Sequence, residues 1–487
     1  MAPNLSPATT RPWLIALAGL TLLRFWLAAV LPLSPDEAYY WVWSRGLQPG
    51  FYDHPPMVAL WIRLGTAIAG ETPLGIRLLA PPALALASLL LARASEDLFP
   101  GRGAGPWAAA LLNATIIVGV GAATMTPDTP LAFFWVATIW ALARLHRTGD
   151  GRWWLAVGLL AGAGLASKYT AILLGFGILL WLLTEPGLRR WFARWELWAG
   201  GALALLVFSP VIAWNAAQGW ASFAKQGGRA AASGGSAMQY LVELAVGQVA
   251  FATPLVWLLC SAGAVAAVLA WNREGAPARL LAFLTLPAIL LFLWQATGSR
   301  VQGNWPAILY PAAAIAAAAL LGPRWQRWRG PAVLLGFAMT AAVVLQSIAA
   351  PFPLRRGWDP TLARLGGWPE FTEAVEQARQ REGAAFIAAE EYGLASELAF
   401  RLPPGVMVVA SDPRWRYFSL PAVPEGVTGL MVRSERRGEG PPWWPGAEPL
   451  DGLVRSRRGV EAERYRLYRV RPAPGMLPTA VLPRPGG

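Results

Sequence analysis

The sequence predicts a mainly α-helical chain that crosses a membrane many times and carries a small mixed α/β domain towards its C-terminal end. Three observations carry that expectation. Of 487 residues, 55% are hydrophobic and only 14% are charged. Apolar stretches of about 17 to 25 residues, the length that crosses a bilayer as a helix, recur over roughly the first 350 positions. After Ala350 the charge density rises and the apolar runs shorten to the lengths of strands and amphipathic helices.

The first apolar run, from Trp13 to Leu33, is too long for a signal-peptide core and has no small-residue cleavage site after it, so it reads as a retained helix. About eleven spans follow from the apolar pattern, at roughly 12–33, 73–92, 106–124, 130–145, 153–167, 169–184, 196–214, 240–270, 279–297, 305–322 and 331–350. Between the first two lies a polar loop, 34–72, whose MVALWIRLGTAIAG stretch reads as an amphipathic helix along the membrane surface. With the N-terminus inside, most loop arginines fall on the cytoplasmic side, as the positive-inside rule requires. The same orientation sends loop 34–72, TPDTP at 126–130, SKYT at 167–170, the loop around Lys225 and Arg229, and GSRVQGNWP at 298–306 to the outer side.

Domains are expected at 1–350 (membrane part), 351–472 (soluble α/β part) and 473–487 (a Pro- and Gly-rich disordered tail). In the soluble part, residues 369–382 have helical spacing, while AAFIAAE, GVMVVAS, GVTGLMVRS and ERYRLYRV have the composition of strands.

Composition also excludes. A formal charge of +13 invites a nucleic-acid reading, but the arginines lie in short clusters between apolar runs and form no basic stripe, so nucleic acid is not an expected partner. A single cysteine, Cys260, rules out an internal disulfide and makes a thiolate metal site implausible. Arginine supplies all but two of the 41 basic residues, which singles out Lys168 and Lys225.

The polar motifs each have two readings. Asp36 and Glu37 stand at the water interface just beyond the first span, where a carboxylate stays charged and still meets a membrane-borne substrate. Ser34-Pro35-Asp36-Glu37 is equally a helix-start signature. Tyr39 and Tyr40 suit an interfacial aromatic belt or a sugar platform. Asp53 and His54 are candidates for a divalent ion, the only cofactor suggested, although one acid and one imidazole do not complete a ligand set. Asp128 either starts a helix or serves the outer site. Lys168, Lys225, Arg229 and Arg300 are cations on the cation-poor side, suited to a phosphate, and the loop holding Lys225 and Arg229 reads as a solvated loop or a lid. Gln302 and Asn304 either open a helix before Pro306 or hydrogen-bond a substrate. Arg24, inside the first span, is expected to snorkel or to pair with a carboxylate.

The order DEAYYW, YDHPPMVAL, MTPDTPLAFFW, SKYTAILL, QGNWPA and a late YGLASELAFRLP resembles bacterial members of glycosyltransferase family 39, which includes aminoarabinose transferases and protein O-mannosyltransferases. The resemblance runs over nearly the whole chain. It implies the GT-C membrane glycosyltransferase fold and an active site on the outer face of the bacterial inner membrane. It further implies a polyprenyl-phosphate sugar donor, typically on undecaprenyl phosphate, and transfer with inversion to a lipid A, polysaccharide or protein acceptor. Asp36 matches the leading acid of the family's DE motif and would be the catalytic carboxylate. Glu37 would orient it or the acceptor, and Asp128 matches a second acid of the outer pocket. Lys168, Arg229 and Arg300 would meet the donor phosphate, with Tyr39, Tyr40, Asp53, His54, Gln302 and Asn304 lining the substrate site. The chain departs from the pattern in VQGNWP and in lacking an aromatic-aspartate motif after ASELAF, which bears on acceptor choice. The rival classes are a transporter of an anionic or lipid-linked solute and a membrane scaffold. Against the transporter stand the missing internal symmetry and the gathering of polar motifs at one face.

Overall fold

A computed structural model describes residues 7–231, 236–472 and 479–486. Among them, six helices are long and apolar enough to cross a membrane: Pro12–Val30, Pro73–Leu98, Trp195–Ala217, Pro254–Glu274, Ala276–Ala296 and Pro323–Ile348. A seventh arises if Tyr169–Thr184 and Pro186–Ala193, bent by 110° at their junction, count as one span. Several expected spans are broken. The run 106–124 divides into Gly105–Asn113 and Ile116–Gly121, and 240–270 divides into Ala237–Ala252 and Pro254–Glu274. The second break falls at Thr253, whose φ of 67° precedes Pro254. A residue before proline is driven out of the helical region, so an unbroken apolar run need not be one helix.

The chain divides into two compact units. One comprises residues 1–27, 53–58 and 79–341, the other 28–52, 59–78 and 342–487. The division differs from the boundary expected near 350, because much of the first outer loop groups with the C-terminal residues.

The first unit is a helical bundle. Small residues let its backbones approach: a Cβ at Gly158 would lie 2.0 Å from the Gly200 carbonyl oxygen, so helices Trp153–Leu165 and Trp195–Ala217 meet at two glycines.

The second unit is built on a six-stranded sheet with β1 Phe386–Ala389, β2 Met407–Ser411, β3 Gly429–Ser434, β4 Glu448–Arg457, β5 Val460–Val470 and β6 Thr479–Val481. The order is β4-β5-β3-β1-β2-β6, with β1 parallel to β2 and β3, and the remaining pairs antiparallel. Four strands and the helix Trp368–Arg381 occupy the segments expected of them. Phe386, Ala388, Val409, Met431, Trp444 and Val470 form the core of one face. β6 overturns the expectation of a disordered tail at 479–481. Val409 pairs with Val481, and Ala480 and Leu482 are each only 2% exposed, so strand pairing and apolar burial hold this proline-flanked segment in place. Residues 473–478 and 487 of that expected tail lie outside the described residues.

Candidate active site

The helix Pro35–Arg45 starts on a complete capping box. Ser34 is extended, Pro35 takes the first turn, and the Ser34 hydroxyl accepts from the Glu37 amide while Glu37 Oε2 accepts from Ser34 N at 3.1 Å. The same carboxylate takes a two-pronged ion pair from Arg77, Nε to Oε1 at 2.6 Å and Nη2 to Oε2 at 2.8 Å, with both side chains fully buried. Arg77 also donates to the carbonyls of Ala28, Leu31 and Pro32. Arg77, which the sequence reading missed, thereby ties the end of the first long helix to the start of the next. An arginine inside the apolar span expected at 73–92 was the available signal.

Asp36 is the complementary case. As the neighbour of Glu37 it points elsewhere, and its side chain stays 33% exposed. The Tyr392 hydroxyl donates to Oδ1 at 2.9 Å and Arg364 Nη1 donates to Oδ2 at 3.2 Å. Tyr392 opens the helix Tyr392–Arg401, which begins the YGLASELAFRLP motif. Gly393 permits the approach, since a Cβ there would lie 2.8 Å from Pro35 Cβ. The Arg414 guanidinium covers the Tyr392 ring at 4.2 Å.

Tyr39 and Tyr40 are 1% and 8% exposed, so neither reading offered for them, interfacial belt or open sugar platform, describes their position. Tyr39 packs edge-on against Trp415 and at a tilt against Tyr392 at 4.6 Å, and Trp43 stacks on Phe51 at 4.3 Å. These rings are the core through which loop 34–52 joins the segment 413–418, and large aromatic side chains suit that task because each buries a large area.

Glu397, on the same helix as Tyr392, is fully buried, with Oε2 accepting from Arg401 Nε at 2.5 Å and Oε1 lacking an acceptor's usual partner. Burial pushes its carboxyl up to about 7; Arg401 opposes the shift and the charge of Glu37 adds to it.

In the first unit, three motifs meet on one carboxylate. Asp128 lies in the first turn of Asp128–Thr148. Its Oδ1 accepts from Lys168 Nζ at 2.7 Å and its Oδ2 from Asn304 Nδ2 at 2.6 Å. Lys168 is extended, at the break between Trp153–Leu165 and the turn Tyr169–Ala171, and its side chain is 6% exposed. Asn304 begins the turn Trp305–Leu309 without capping it, which leaves its amide for Asp128. MTPDTP, SKYT and GNWP are therefore one constellation, whereas Gln302 of the same loop is exposed.

Asp53 is buried and paired with Lys225, and Gln226 Nε2 donates to the Asp53 carbonyl at 2.6 Å. Lys225 thus belongs to the YDHPP turn. Among the described residues no group of three or more His, Cys, Asp and Glu side chains could hold a metal ion. With Asp53 neutralised by an ammonium, the Asp53 and His54 pair does not fit one. Arg300 pairs with Glu243 at 3.0 Å and is 69% exposed. Arg229 falls in helix Ala221–Ala231, but its side chain lies outside the described residues.

Comparison with known proteins places this geometry. Residues 53–214 match the family model described as dolichyl-phosphate-mannose-protein mannosyltransferase. The chain is 25% identical over 438 residues to the lipid A galacturonosyltransferase RgtD of Rhizobium johnstonii, covering 87% of this chain and 90% of that one. It is 32% identical over 216 residues to the undecaprenyl phosphate-alpha-4-amino-4-deoxy-L-arabinose arabinosyl transferase of Pseudomonas paraeruginosa, 39% of this chain and 38% of the relative. The fold is that of ArnT from Cupriavidus metallidurans, at a TM-score of 0.64 and 15% identity in the apo state, over 95% of this chain and 98% of that one. ArnT bound to undecaprenyl phosphate gives 0.60 and 16%, over 94% and 98%. The chain thus has the fold of ArnT, is a multi-pass membrane protein, and is similar in sequence to membrane glycosyltransferases of the family-39 kind.

Proposed function

We infer that this chain moves a sugar from a polyprenyl phosphate, of the undecaprenyl type, to a lipid acceptor of the lipid A class. The reaction belongs to the outer face of the bacterial inner membrane, and the anomeric carbon is inverted. The near full-length likeness to a lipid A galacturonosyltransferase, and the ArnT fold, support the donor and acceptor classes. The positive-inside pattern supports the side. About eleven crossings go with this reading, since broken pairs such as Gly105–Asn113 with Ile116–Gly121 then cross together.

The observation that carries the catalytic assignment is the contrast within one dipeptide. Glu37 is fully buried and committed to Ser34 and Arg77, while Asp36 keeps a third of its side chain exposed between two orienting donors. Asp36 is the group that meets substrate, and Glu37 is a positioning residue that fixes the first turn on which Asp36 stands. When the acceptor group is a hydroxyl, Asp36 takes its proton as the oxygen attacks C1. The bond from C1 to the phosphate oxygen breaks, and its electron pair leaves with polyprenyl phosphate. When the acceptor is an already ionised phosphate, Asp36 orients it. Within the bundle, Asp128, with its two oxygens fixed by Lys168 and Asn304, keeps lone pairs that suit a polar substrate group. Tyr39 and Tyr40 act from the core, and Arg300, Gln302 and His54 are left as outer substrate contacts.

The test is transfer by the purified chain in proteoliposomes from a panel of undecaprenyl-phosphate sugars, including galacturonic acid and aminoarabinose, to lipid A. Transfer by the unaltered chain and not by Asp36→Asn is expected. Equal transfer by both would remove Asp36 from the chemistry, and no transfer from any donor would remove the donor class.

A further inference from the structure

From residue 359 onward, the described part of the sheet-bearing unit leaves one large apolar side chain exposed, Val454. The segment 351–358 just before it is the opposite. There Phe352, Leu354 and Trp358 are 61%, 43% and 83% exposed. Cations stand among them: Arg355 is exposed, and Arg356 keeps 37% of its side chain exposed and comes no nearer than 3.8 Å to Glu463. An apolar patch concentrated on an otherwise polar surface marks a place of contact.

The exposure is built in and does not come from a slack loop. Gln346, buried in the last turn of the helix Arg329–Ile348, fastens both ends of the segment. Its amide nitrogen donates to the Phe352 carbonyl at 2.8 Å and to Asp359 Oδ2 at 2.7 Å, and its oxygen accepts from Phe352 N at 3.2 Å. Trp358 N donates to the Arg355 carbonyl at 2.8 Å and closes a turn between them. Asp359 is itself buried, accepts from Arg457 Nη2 at 2.7 Å, and caps the helix Pro360–Leu365 through Thr361 N and Leu362 N. That helix carries Arg364, which donates to Asp36 Oδ2. One buried carboxylate thus joins the end of the span, the apolar segment and the arginine at Asp36.

What covers the segment follows from where it begins. Pro323–Ile348 is long and apolar enough to cross a membrane, and the segment follows directly on its end, at the boundary between acyl chains and water. Aromatic rings beside arginines suit that boundary: the rings sit at headgroup level, and the guanidinium forks meet lipid phosphates. We propose that residues 351–358 are a lipid anchor. Phe352, Leu354 and Trp358 enter the leaflet at which the helix ends, Arg355 and Arg356 take the phosphates of anionic phospholipid there, and through Asp359 this contact holds Arg364 against Asp36. The link to Asp36 deepens the proposed function and rests on it, whereas the anchor itself does not.

The experiment places a nitroxide label at Leu354→Cys or at Val454→Cys, each in the full chain carrying Cys260→Ala, in phosphatidylcholine nanodiscs with or without phosphatidylglycerol. Relaxation by oxygen and by a water-soluble nickel chelate is read for each label. Oxygen should dominate at position 354 and the chelate at 454. Phosphatidylglycerol should lower chelate access at 354 further, an effect lost when Arg355→Gln and Arg356→Gln are added. Equal chelate access at the two positions overturns the anchor. Shielding of position 354 from both reagents assigns the face to a protein contact, such as a second copy of the chain, and overturns it too. No response to phosphatidylglycerol overturns the role given to the two arginines. The link to Asp36 is read from transfer in proteoliposomes of the same lipids. Phe352→Ser with Trp358→Ser, exposed changes that should leave the thermal midpoint in detergent level, should lower kcat about two- to fivefold, the range an exposed charge pair supports. In an Arg364→Ala background the same pair should lower it no further. An unchanged kcat, or losses that add, overturns the link. No transfer by the unaltered chain from any donor overturns the proposed function and the link with it, while the labels decide the anchor separately.

Discussion

Asp36 and Asp128 both stand in the first turn of a helix and both accept from two side chains, yet the donors are of opposite kinds. Around Asp36, in the unit built on the sheet, they are a phenol and an arginine that is 68% exposed. Around Asp128, in the helical bundle, the charged donor is a lysine only 6% exposed. Exposed ion pairs contribute little because water and salt screen them. A buried pair is another matter, since losing one partner strands a charge in a low-dielectric site. Activity and stability should therefore separate at Asp36 and stay entangled at Asp128.

The largest expected effect is on rate. Asp36→Asn should lower transfer by about 10²- to 10⁴-fold while leaving the thermal midpoint of the purified protein nearly unchanged. A midpoint falling in step with activity would make Asp36 a cap and erase the contrast. In the bundle, Lys168→Met should cost roughly 3–5 kcal/mol by leaving Asp128 unpaired, and Lys168→Met with Asp128→Asn should recover most of it. Additive losses in that double variant, read from denaturation in detergent, would show that the pair is not coupled.

The Glu37–Arg77 pair brings the buried case into the sheet-bearing unit. Arg77→Met should cost a similar 3–5 kcal/mol, and it should also lower transfer, because the turn that carries Asp36 loses its anchor. Unaltered activity in a folded Arg77→Met protein would detach Glu37 from the positioning of Asp36.

A smaller effect concerns pH. Glu397 is shifted up to about 7 by burial. Between the ordinary glutamate range and 7, the unfolded chain has lost this proton and the folded chain still holds it. Stability from this group is therefore full at low pH, declines as pH rises through that window, and levels off above 7. Glu397→Gln stays neutral throughout, so its advantage over the unaltered chain should be small near pH 4.5 and reach roughly 1–3 kcal/mol by pH 8. Thermal midpoints across that range check it, and an advantage independent of pH would contradict the shift. The smallest effect belongs to the exposed partner. Arg364→Ala should change stability by about 1 kcal/mol or less, yet change transfer more visibly through the aim of Asp36, and added salt should mimic part of it.

Much of this was legible from sequence for identifiable reasons. The capping box at Ser34–Glu37 is a four-residue signal, and the strands at 386–389, 407–411, 429–434 and 460–470 announce themselves by local composition. The ordered motifs pointed to Asp36, Asp128, Lys168 and Asn304. Other features were hidden. The break at Thr253 lies inside an unbroken apolar run, so hydropathy alone passes over it. β6 is three residues among prolines, too short to register until β2 is beside it.

The sequence by itself determined a multi-pass chain with a sheet-bearing C-terminal part, the start of the Asp36 helix and the set of polar motifs, because periodicity, capping and composition act over a few residues. The tertiary structure decided what each charge does. Asp36 receives Arg364 from 328 residues away and Tyr392 from 356, Asp128 receives Asn304 from 176 away, and Glu37 is taken up by Arg77. Whether a carboxylate caps, pairs or stays open to substrate depends on burial and on donors distant in the chain, and no local pattern encodes either. For the same reason only the folded chain showed Arg24 to be a charge without a partner.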